Sequence, residues 1–182
     1  MKPDFDELVE RHSAEIFAYV WRMLRDAHDA EDCLQETFLR AFRSYGRVRA
    51  GTNYRAWLYK IATNTAHSQW KRRKRSETRI VDLDPEAHAD GVSVADRVEQ
   101  KTLLAAVARA VEELPDQQRA ALIMRKYQEL SYAEIGAALE CTEAAARANV
   151  YQAVKKVRQR IDIGHMPSSA ASADEGGERD DA

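Results

Sequence analysis

Apolar residues recur every three or four positions along most of the chain, and this spacing predicts helices almost throughout. A first periodic segment covers residues 5–24, and a second covers residues 30–45 with Asp29 as its predicted N-cap. In the second segment the predicted core stripe extends from Ala30 through Phe42 to Tyr45. A third helix is predicted from about residue 54 to residue 74, after a loop at residues 46–53 that contains two glycines.

The helical spacing breaks down once, between residues 76 and 98, where the chain is polar and acidic. We interpret this stretch as an extended linker, because it is longer than most loops within a domain. Helical spacing resumes with Leu103 and Leu104, and Pro115 is predicted to occupy the first turn of a further helix. The last residues, 164–182, are rich in Ser, Ala, Gly and acidic residues and are predicted to be disordered.

Two short helices with a tight turn between them are predicted near the C-terminus. Ser131 and Glu134 have the spacing of a capping box, and Thr142 can cap the helix that follows the turn at Glu140. Glu140 stands where a glycine is more usual, so it must adopt a less favourable backbone conformation if the turn requires positive φ. The second helix has one apolar face and one face with basic and amide groups, which suits a reader of the DNA major groove. A packed helical hairpin with a solvated face is the alternative.

Composition favours an all-α fold, and the length allows one medium domain or two small helical ones. With the linker between them, we predict two small helical domains joined by a flexible linker. Among 182 residues there are only 7 Gly and 4 Pro, while 45% are apolar. The two cysteines, Cys33 and Cys141, have no metal-ligand spacing and are predicted to be buried or half-buried thiols. The chain opens without an apolar signal segment and has no run long enough to cross a bilayer, so we expect a cytoplasmic protein without membrane insertion.

The net charge of −2 conceals a strongly uneven distribution. Residues 37–76 contain eleven Lys or Arg and no Asp or Glu, with aromatic residues interleaved. Such a segment favours nucleic-acid binding, because cationic groups contact phosphates and aromatic rings stack on bases. The preceding helix is expected to expose an acidic and amide face with one leucine, which could dock a basic partner helix or be an ordinary solvated face.

Four short motifs carry a resemblance to a known family. Residues 29–42 (DAEDCLQETFLRAF) closely resemble the polymerase-binding region 2.2 of extracytoplasmic-function (ECF) sigma factors of the sigma-70 family. Residues 53–64 (NYRAWLYKIATN) resemble regions 2.3 and 2.4 of that family, and residues 114–119 and 130–136 resemble the start of its region 4. The resemblance implies a sigma factor, which binds core RNA polymerase and directs promoter recognition, DNA opening and transcription initiation.

The resemblance also implies roles for the matched positions. Polymerase binding would fall to Asp32, Gln35, Glu36 and Leu39. The minus-ten element would be contacted by Asn53, Tyr54, Lys60, Asn64, Lys71 and Arg72. The minus-thirty-five element would be faced by Arg147, Ala148, Tyr151, Gln152 and Lys155. This chain departs from the family pattern at residues 144–152, so its preference at the minus-thirty-five element does not transfer.

The implied partners are core RNA polymerase, through its β′ clamp helices and β flap, promoter DNA and an anti-sigma factor. No cofactor and no metal are expected, and an enzyme is the least favoured class because no catalytic cluster is visible. A free-standing helix-turn-helix regulator and a helical sigma mimic that binds no DNA are the alternatives.

The predicted domain boundaries follow from these segments. They are a sigma-2-like domain at residues 1–76, an acidic linker at 77–98, a sigma-4-like helix-turn-helix domain at 99–163 and an acidic tail at 164–182.

Overall fold

Seven helices make up the described part of the chain in a computed structural model. It describes residues 2–77 and 94–164, with side chains at 2–72 and 103–161. The helices are α1 (Phe5–Leu24), α2 (Ala27–Tyr45), α3 (Tyr54–Glu77), α4 (Val94–Glu112), α5 (Asp116–Tyr127), α6 (Tyr132–Leu139) and α7 (Glu143–Gly164). The all-α prediction is confirmed. Residues 94–98 of the predicted linker belong to α4, whereas residues 78–93 of that linker and residues 165–182 of the predicted tail lie outside the described residues.

The first half of the chain, α1 to α3, is a bundle in which each helix packs against the other two. Tyr19 of α1 is completely buried and donates or accepts a hydrogen bond with Thr63 Oγ1 of α3 at 2.8 Å. Its ring meets that of the equally buried Tyr59 edge-on, with 5.1 Å between the ring centroids. Full burial of a large side chain contributes about 1.5–3 kcal/mol, and edge-to-face rings add to that.

The second half, α4 to α7, contains the predicted helix-turn-helix in α6 and α7. The capping box is present: the backbone N–H of Glu134 donates to Ser131 Oγ at 3.2 Å, and the backbone N–H of Ser131 donates to Glu134 Oε2 at 2.9 Å. Glu140 ends α6 at φ 55°, as the sequence indicated for a turn without glycine. Thr142 caps α7, because its hydroxyl accepts from the backbone N–H of Ala145 at 3.1 Å.

The two halves pack together through one continuous apolar cluster. Helix α6 packs along α3, and α5 packs against α1. We call this contact the seam. Buried residues of the cluster come from both halves: Val20, Met23, Ala62 and Ala66 from the first, and Ala120, Met124, Ala138 and Leu139 from the second.

Three local predictions were wrong. Asp26, not Asp29, caps α2, because the Asp26 carboxylate accepts from the backbone N–H of Asp29 at 2.8 Å and the helix begins three residues earlier. Phe42 was predicted to belong to the core but is 63% exposed, because it lies at the edge of the bundle. Its ring packs edge-on against the ring of Phe5. Pro115 is the N-cap of α5 and not a residue of its first turn.

Candidate polymerase and nucleic-acid interfaces

An exposed polar face on α2 is fixed in place by the buried face opposite it. Thr37 is buried and donates to the Cys33 carbonyl at 2.6 Å, and Ala30 and Ala41 pack on the same side. Burial raises the pKa of the Cys33 thiol to about 12, which keeps it protonated and unreactive. Cys33 is therefore a buried thiol and Cys141 a half-buried one, as predicted.

The predicted polymerase-binding residues come together on this α2 face. Asp32, Gln35, Glu36 and Leu39 line one shallow surface depression together with Arg40, Gln69 and Arg72. A hydrogen bond from Arg40 Nε to Glu36 Oε1 at 2.5 Å lowers the pKa of the Glu36 carboxyl. Leu39 is 43% exposed, and the exposed Phe42 lies one turn further along. The face therefore combines carboxylates with exposed apolar side chains.

Two of the predicted minus-ten residues make hydrogen bonds that stabilise the start of α3. Asn53 caps the helix, because its side-chain oxygen accepts from the backbone N–H of Ala56 at 3.0 Å. The Tyr54 hydroxyl donates to the carbonyl of Arg49 at 3.1 Å and so ties the loop to the helix. The Tyr45 ring lies about 6 Å from the rings of Tyr54 and Trp57, which makes an aromatic wall beside the loop.

The remaining minus-ten residues follow the same helix. Lys60 is half-buried, and its ammonium group donates to Glu140 Oε1 of the second half at 2.7 Å. Asn64 is exposed, and Lys71 and Arg72 are exposed near the C-terminal end of α3. The residues thus extend along one helix, with Asn53 and Lys60 already in contact with groups of α6 or the α6–α7 turn.

The predicted minus-thirty-five residues form one exposed face of α7. Arg147, Ala148, Tyr151, Gln152 and Lys155 are all exposed. The opposite face is buried at Ala146, Val150 and Ala153, so the predicted amphipathic division of this helix is confirmed. The Arg147 guanidinium lies 4.5 Å from the Tyr132 ring centroid and pairs with Glu143 at 3.2 Å.

Sequence reasoning missed a half-buried ionic cluster that joins α1, α3 and the second half. Arg55 donates to Glu15 from Nε at 3.0 Å and from Nη2 at 2.6 Å, and its Nη2 also donates to the Gln128 carbonyl at 2.8 Å. Burial raises the pKa of the Glu15 carboxyl, but hydrogen bonds from His12 and Arg55 outweigh it and lower that pKa to about 2. An acidic residue on the first helix and a basic residue on the third were the only signals in the sequence.

Another guanidinium, that of Arg119, is buried at the seam. Arg119 is 2% exposed, its Nη2 donates to Asp116 at 3.0 Å, and its Nη1 donates to the Glu112 carbonyl at 3.1 Å. The Trp70 ring centroid, from the first half, lies 4.8 Å away.

Among the residues whose side chains are described, no group of His, Cys, Asp and Glu could hold a metal ion. In the same part of the chain no helix is long and apolar enough to cross a membrane.

Comparison with known proteins shows which family models the two halves of the chain match. Residues 8–76 match the family model for sigma-70 region 2, and residues 104–157 match that for sigma-70 region 4. The chain is 30% identical to the RNA polymerase sigma factor CarQ of Myxococcus xanthus over 157 residues, covering 86% of this chain and 88% of CarQ. It is 31% identical to the ECF RNA polymerase sigma factor SigE of Mycolicibacterium smegmatis over 172 residues, 94% of this chain, and spans 66% of that relative's length.

Solved structures share the fold. The sigma factor RpoE of Bartonella quintana, in complex with the anti-sigma factor NepR, superposes with a TM-score of 0.68 at 22% identity, covering 88% of this chain and 98% of RpoE. CnrH, in complex with the cytosolic domain of CnrY, gives a TM-score of 0.64 at 21% identity, covering 87% of this chain and 88% of CnrH. With both sigma-70 regions matched in order along seven helices, the chain belongs to the ECF sigma factors of the sigma-70 family.

Proposed function

We propose that three exposed surfaces of this chain divide the work of a sigma factor. The chain binds core RNA polymerase and directs promoter recognition and transcription initiation, as members of its family do. In the proposal the α2 face docks on the polymerase β′ clamp helices, the α3 face takes the minus-ten element, and the α7 face takes the minus-thirty-five element. The observation that carries the proposal is that all the matched residues are exposed or partly exposed, with the first set on α2, the second at the start of α3 or along it, and the third on α7.

The α2 face has the composition of a docking site for a basic amphipathic helix. Asp32 and Glu36 present carboxylates one turn apart, and the Arg40 contact favours the ionised form of Glu36. Leu39 supplies an exposed apolar contact beside them. Acidic groups around an apolar anchor give both orientation and affinity to a protein interface.

For the minus-ten element, α3 offers cations beside aromatic rings. Lys60, Lys71 and Arg72 would contact phosphates, whereas Asn53 and Tyr54 border the loop that would hold an extruded base. Extruding a base costs a few kcal/mol, which stacking and hydrogen bonds at the protein surface must offset. The aromatic wall of Tyr45, Tyr54 and Trp57 lies beside that loop.

For the minus-thirty-five element, the exposed face of α7 could enter the major groove, which is wide enough for an α-helix. Gln152 can form a bidentate contact with adenine, Ala148 can touch a thymine methyl group, and Arg147 and Lys155 can contact phosphates or guanine.

The structural neighbours RpoE and CnrH were solved with an anti-sigma factor and with the cytosolic domain of CnrY, respectively. We extend that to this chain as an anti-sigma partner, and we assign it to the cytoplasm, with no cofactor and no catalytic activity of its own.

The polymerase-docking surface is tested by the double substitution Asp32→Ala with Glu36→Ala. Each hot-spot carboxylate at an interface costs about 1 kcal/mol or more when removed, so affinity for core polymerase should fall at least about tenfold. The measurement is a titration of labelled full-length chain with core polymerase, alongside circular dichroism to verify the fold.

The matched control is Asp6→Ala with Glu10→Ala. These two acidic residues are also exposed and also four residues apart on one helix, α1, and the charge change is the same. Equal affinities of the two double variants would remove Asp32 and Glu36 from the polymerase interface.

A further inference from the structure

The residues that precede α1 are bound to the C-terminal end of α2. Lys2 Nζ donates to the Tyr45 carbonyl at 2.5 Å and lies 4.0 Å from the centroid of the Tyr45 ring. The Tyr45 hydroxyl in turn donates to the Pro3 carbonyl. We call residues 2–4 the N-terminal strap. The strap therefore contacts Tyr45 at its carbonyl, its ring and its hydroxyl.

The first residue of α1 adds to the contacts that orient Tyr45. The Phe5 ring meets the Tyr45 ring edge-on, with 5.3 Å between the centroids. Edge-on rings and a cation over a ring are both directional contacts, because the charge of an aromatic ring differs between its face and its edge. Lys2 is 43 residues away from Tyr45 in the chain, so this arrangement is a tertiary contact and not a property of α2 alone.

The loop of residues 46–53 begins at the same Tyr45 carbonyl. The backbone N–H of Val48 donates to that oxygen at 3.0 Å, so the oxygen accepts from the loop and from Lys2 at once. A carbonyl oxygen has two lone pairs, and the last carbonyls of a helix have no partner within the helix. The ammonium group of Lys2 is also favoured at a helix C-terminus by the helix dipole. Lys2 thus stabilises the first anchor of the loop.

The second anchor of the loop is the Arg49 carbonyl. It accepts from the Thr52 hydroxyl at 2.9 Å and from the Tyr54 hydroxyl at 3.1 Å. The Tyr54 ring lies 6.2 Å from the Tyr45 ring. A displacement of Tyr45 would therefore disturb both the first anchor and the ring beside the second.

We propose that Lys2 is a positioning residue for promoter recognition, which holds Tyr45 and the loop of residues 46–53 in the arrangement that accepts an extruded base of the minus-ten element. The inference rests on the proposed function in assigning that base to this loop. Lys2 acts through Tyr45 and does not contact the base. A loop that is ordered before the base arrives avoids the cost of ordering on binding. Base preference at one position, not overall affinity for DNA, therefore depends on Lys2.

The test variant is Lys2→Met, which keeps most of the side-chain length and loses the ammonium group. Lys2→Arg keeps a cation with N–H donors and should restore the behaviour of the unsubstituted chain. The matched control is Lys126→Met. Lys126 is exposed in the last turn of α5 and has no hydrogen bond or ion pair among the described residues. Both methionine variants lose one positive charge, so a general loss of attraction to DNA cancels in the comparison.

The measurement uses each full-length variant assembled with core RNA polymerase and a library of short single-stranded DNA of random sequence. Sequencing of the bound strands gives the base preference at each position, and anisotropy of the fluorescein-labelled library gives the overall affinity. A mismatched base in a recognised site usually costs about fivefold or more in affinity, so Lys2→Met should reduce the preference at one position at least about threefold. Affinities for core polymerase and for the whole library should equal those of the control.

Tyr45→Phe tests the same arrangement from the other partner. It removes the hydroxyl that donates to the Pro3 carbonyl and keeps the ring beneath Lys2. It should reduce the preference at the same position as Lys2→Met does, by a smaller factor, because the contact at the Tyr45 carbonyl remains. A reduction at a different position would contradict the proposal.

The remaining outcomes separate the inference from the proposed function. A preference that Lys2→Met leaves unchanged, or that Lys2→Arg fails to restore, would overturn the positioning role of Lys2. An equal reduction at every position, or the same reduction in Lys126→Met, would overturn it as well, because the effect would not be local to the loop. If the holoenzyme with the unsubstituted chain showed no base preference at all, the proposed function of the loop would fail and this inference with it.

Discussion

Gly136 is the residue at which the helix-turn-helix has the least room. A Cβ added there would meet the Cys141 carbonyl oxygen at 2.8 Å, and that oxygen belongs to backbone that cannot rotate away. We expect Gly136→Ala to lower the free energy of unfolding by about 1–3 kcal/mol, the usual cost of overpacking. Urea unfolding followed by circular dichroism measures this.

Gly46 provides the control for that substitution. It has φ −52°, and nothing lies within 4 Å of the Cβ it would gain. Gly46→Ala should therefore leave stability unchanged or raise it by up to about 1 kcal/mol, because alanine has fewer unfolded conformations. If both variants had the same free energy of unfolding, the close approach of α6 and the turn would not limit the side chain at position 136.

Single residues were predictable where the chemistry is local. Thr142 and Glu140 take the cap and the left-handed turn that their positions indicated. Asp26 and Asp29 show the limit of such reasoning, since both can cap a helix and only the packing of α2 decides between them. Phe42 fits the helical stripe but lies beyond the edge of the bundle, which spacing alone does not reveal.

Helix α6 depends on its N-terminal cap more than the longer helices do. It has eight residues, too few to be stable alone, and Ser131 satisfies its first turn while Glu134 reaches back. Ser131→Ala should lower the free energy of unfolding by about 1 kcal/mol. Chemical unfolding monitored at 222 nm on the α-helical signal provides the measurement.

Ser68 is the comparison for that change. Its hydroxyl bonds back to the Asn64 carbonyl within α3 and caps nothing. Ser68→Ala should be neutral or slightly stabilising, because alanine has the higher helix propensity. A loss equal to that of Ser131→Ala would show that the capping box is not what stabilises α6.

The elements themselves were accessible from the sequence because helical spacing repeats over many residues. The division of α7 into a buried and an exposed face follows from that period, and the structure confirms it. The contacts of α3 with the second half could not be predicted from the sequence. Lys60 and Glu140 are 80 residues apart, and no local sequence pattern relates them.

At the scale of the whole molecule, Glu15 and Arg55 connect three parts of the chain. The Glu15 carboxyl has a pKa of about 2 instead of 4.5, so ionised Glu15 stabilises the fold above about pH 4.5. That contribution, about 3 kcal/mol at most, is lost as pH falls from 4.5 towards 2. Urea unfolding between pH 3 and 6 should show a weaker pH dependence for Glu15→Gln than for the unsubstituted chain.

Glu10→Gln serves as its control, because Glu10 is exposed on the same helix. That variant should keep the full pH dependence of the unsubstituted chain. Identical slopes for the two variants would mean that the Glu15–Arg55 contact does not set acid stability.

The seam also makes the molecule sensitive to cold. The contact made by Ala66, Ala138, Leu139 and their neighbours is stabilised by the hydrophobic effect. Hydrophobic stabilisation weakens on cooling. The exposed ion pair between Lys60 and Glu140, 2.7 Å apart across the same contact, is weakened by salt instead. Cooling and salt are therefore expected to loosen the contact between the two halves through different interactions.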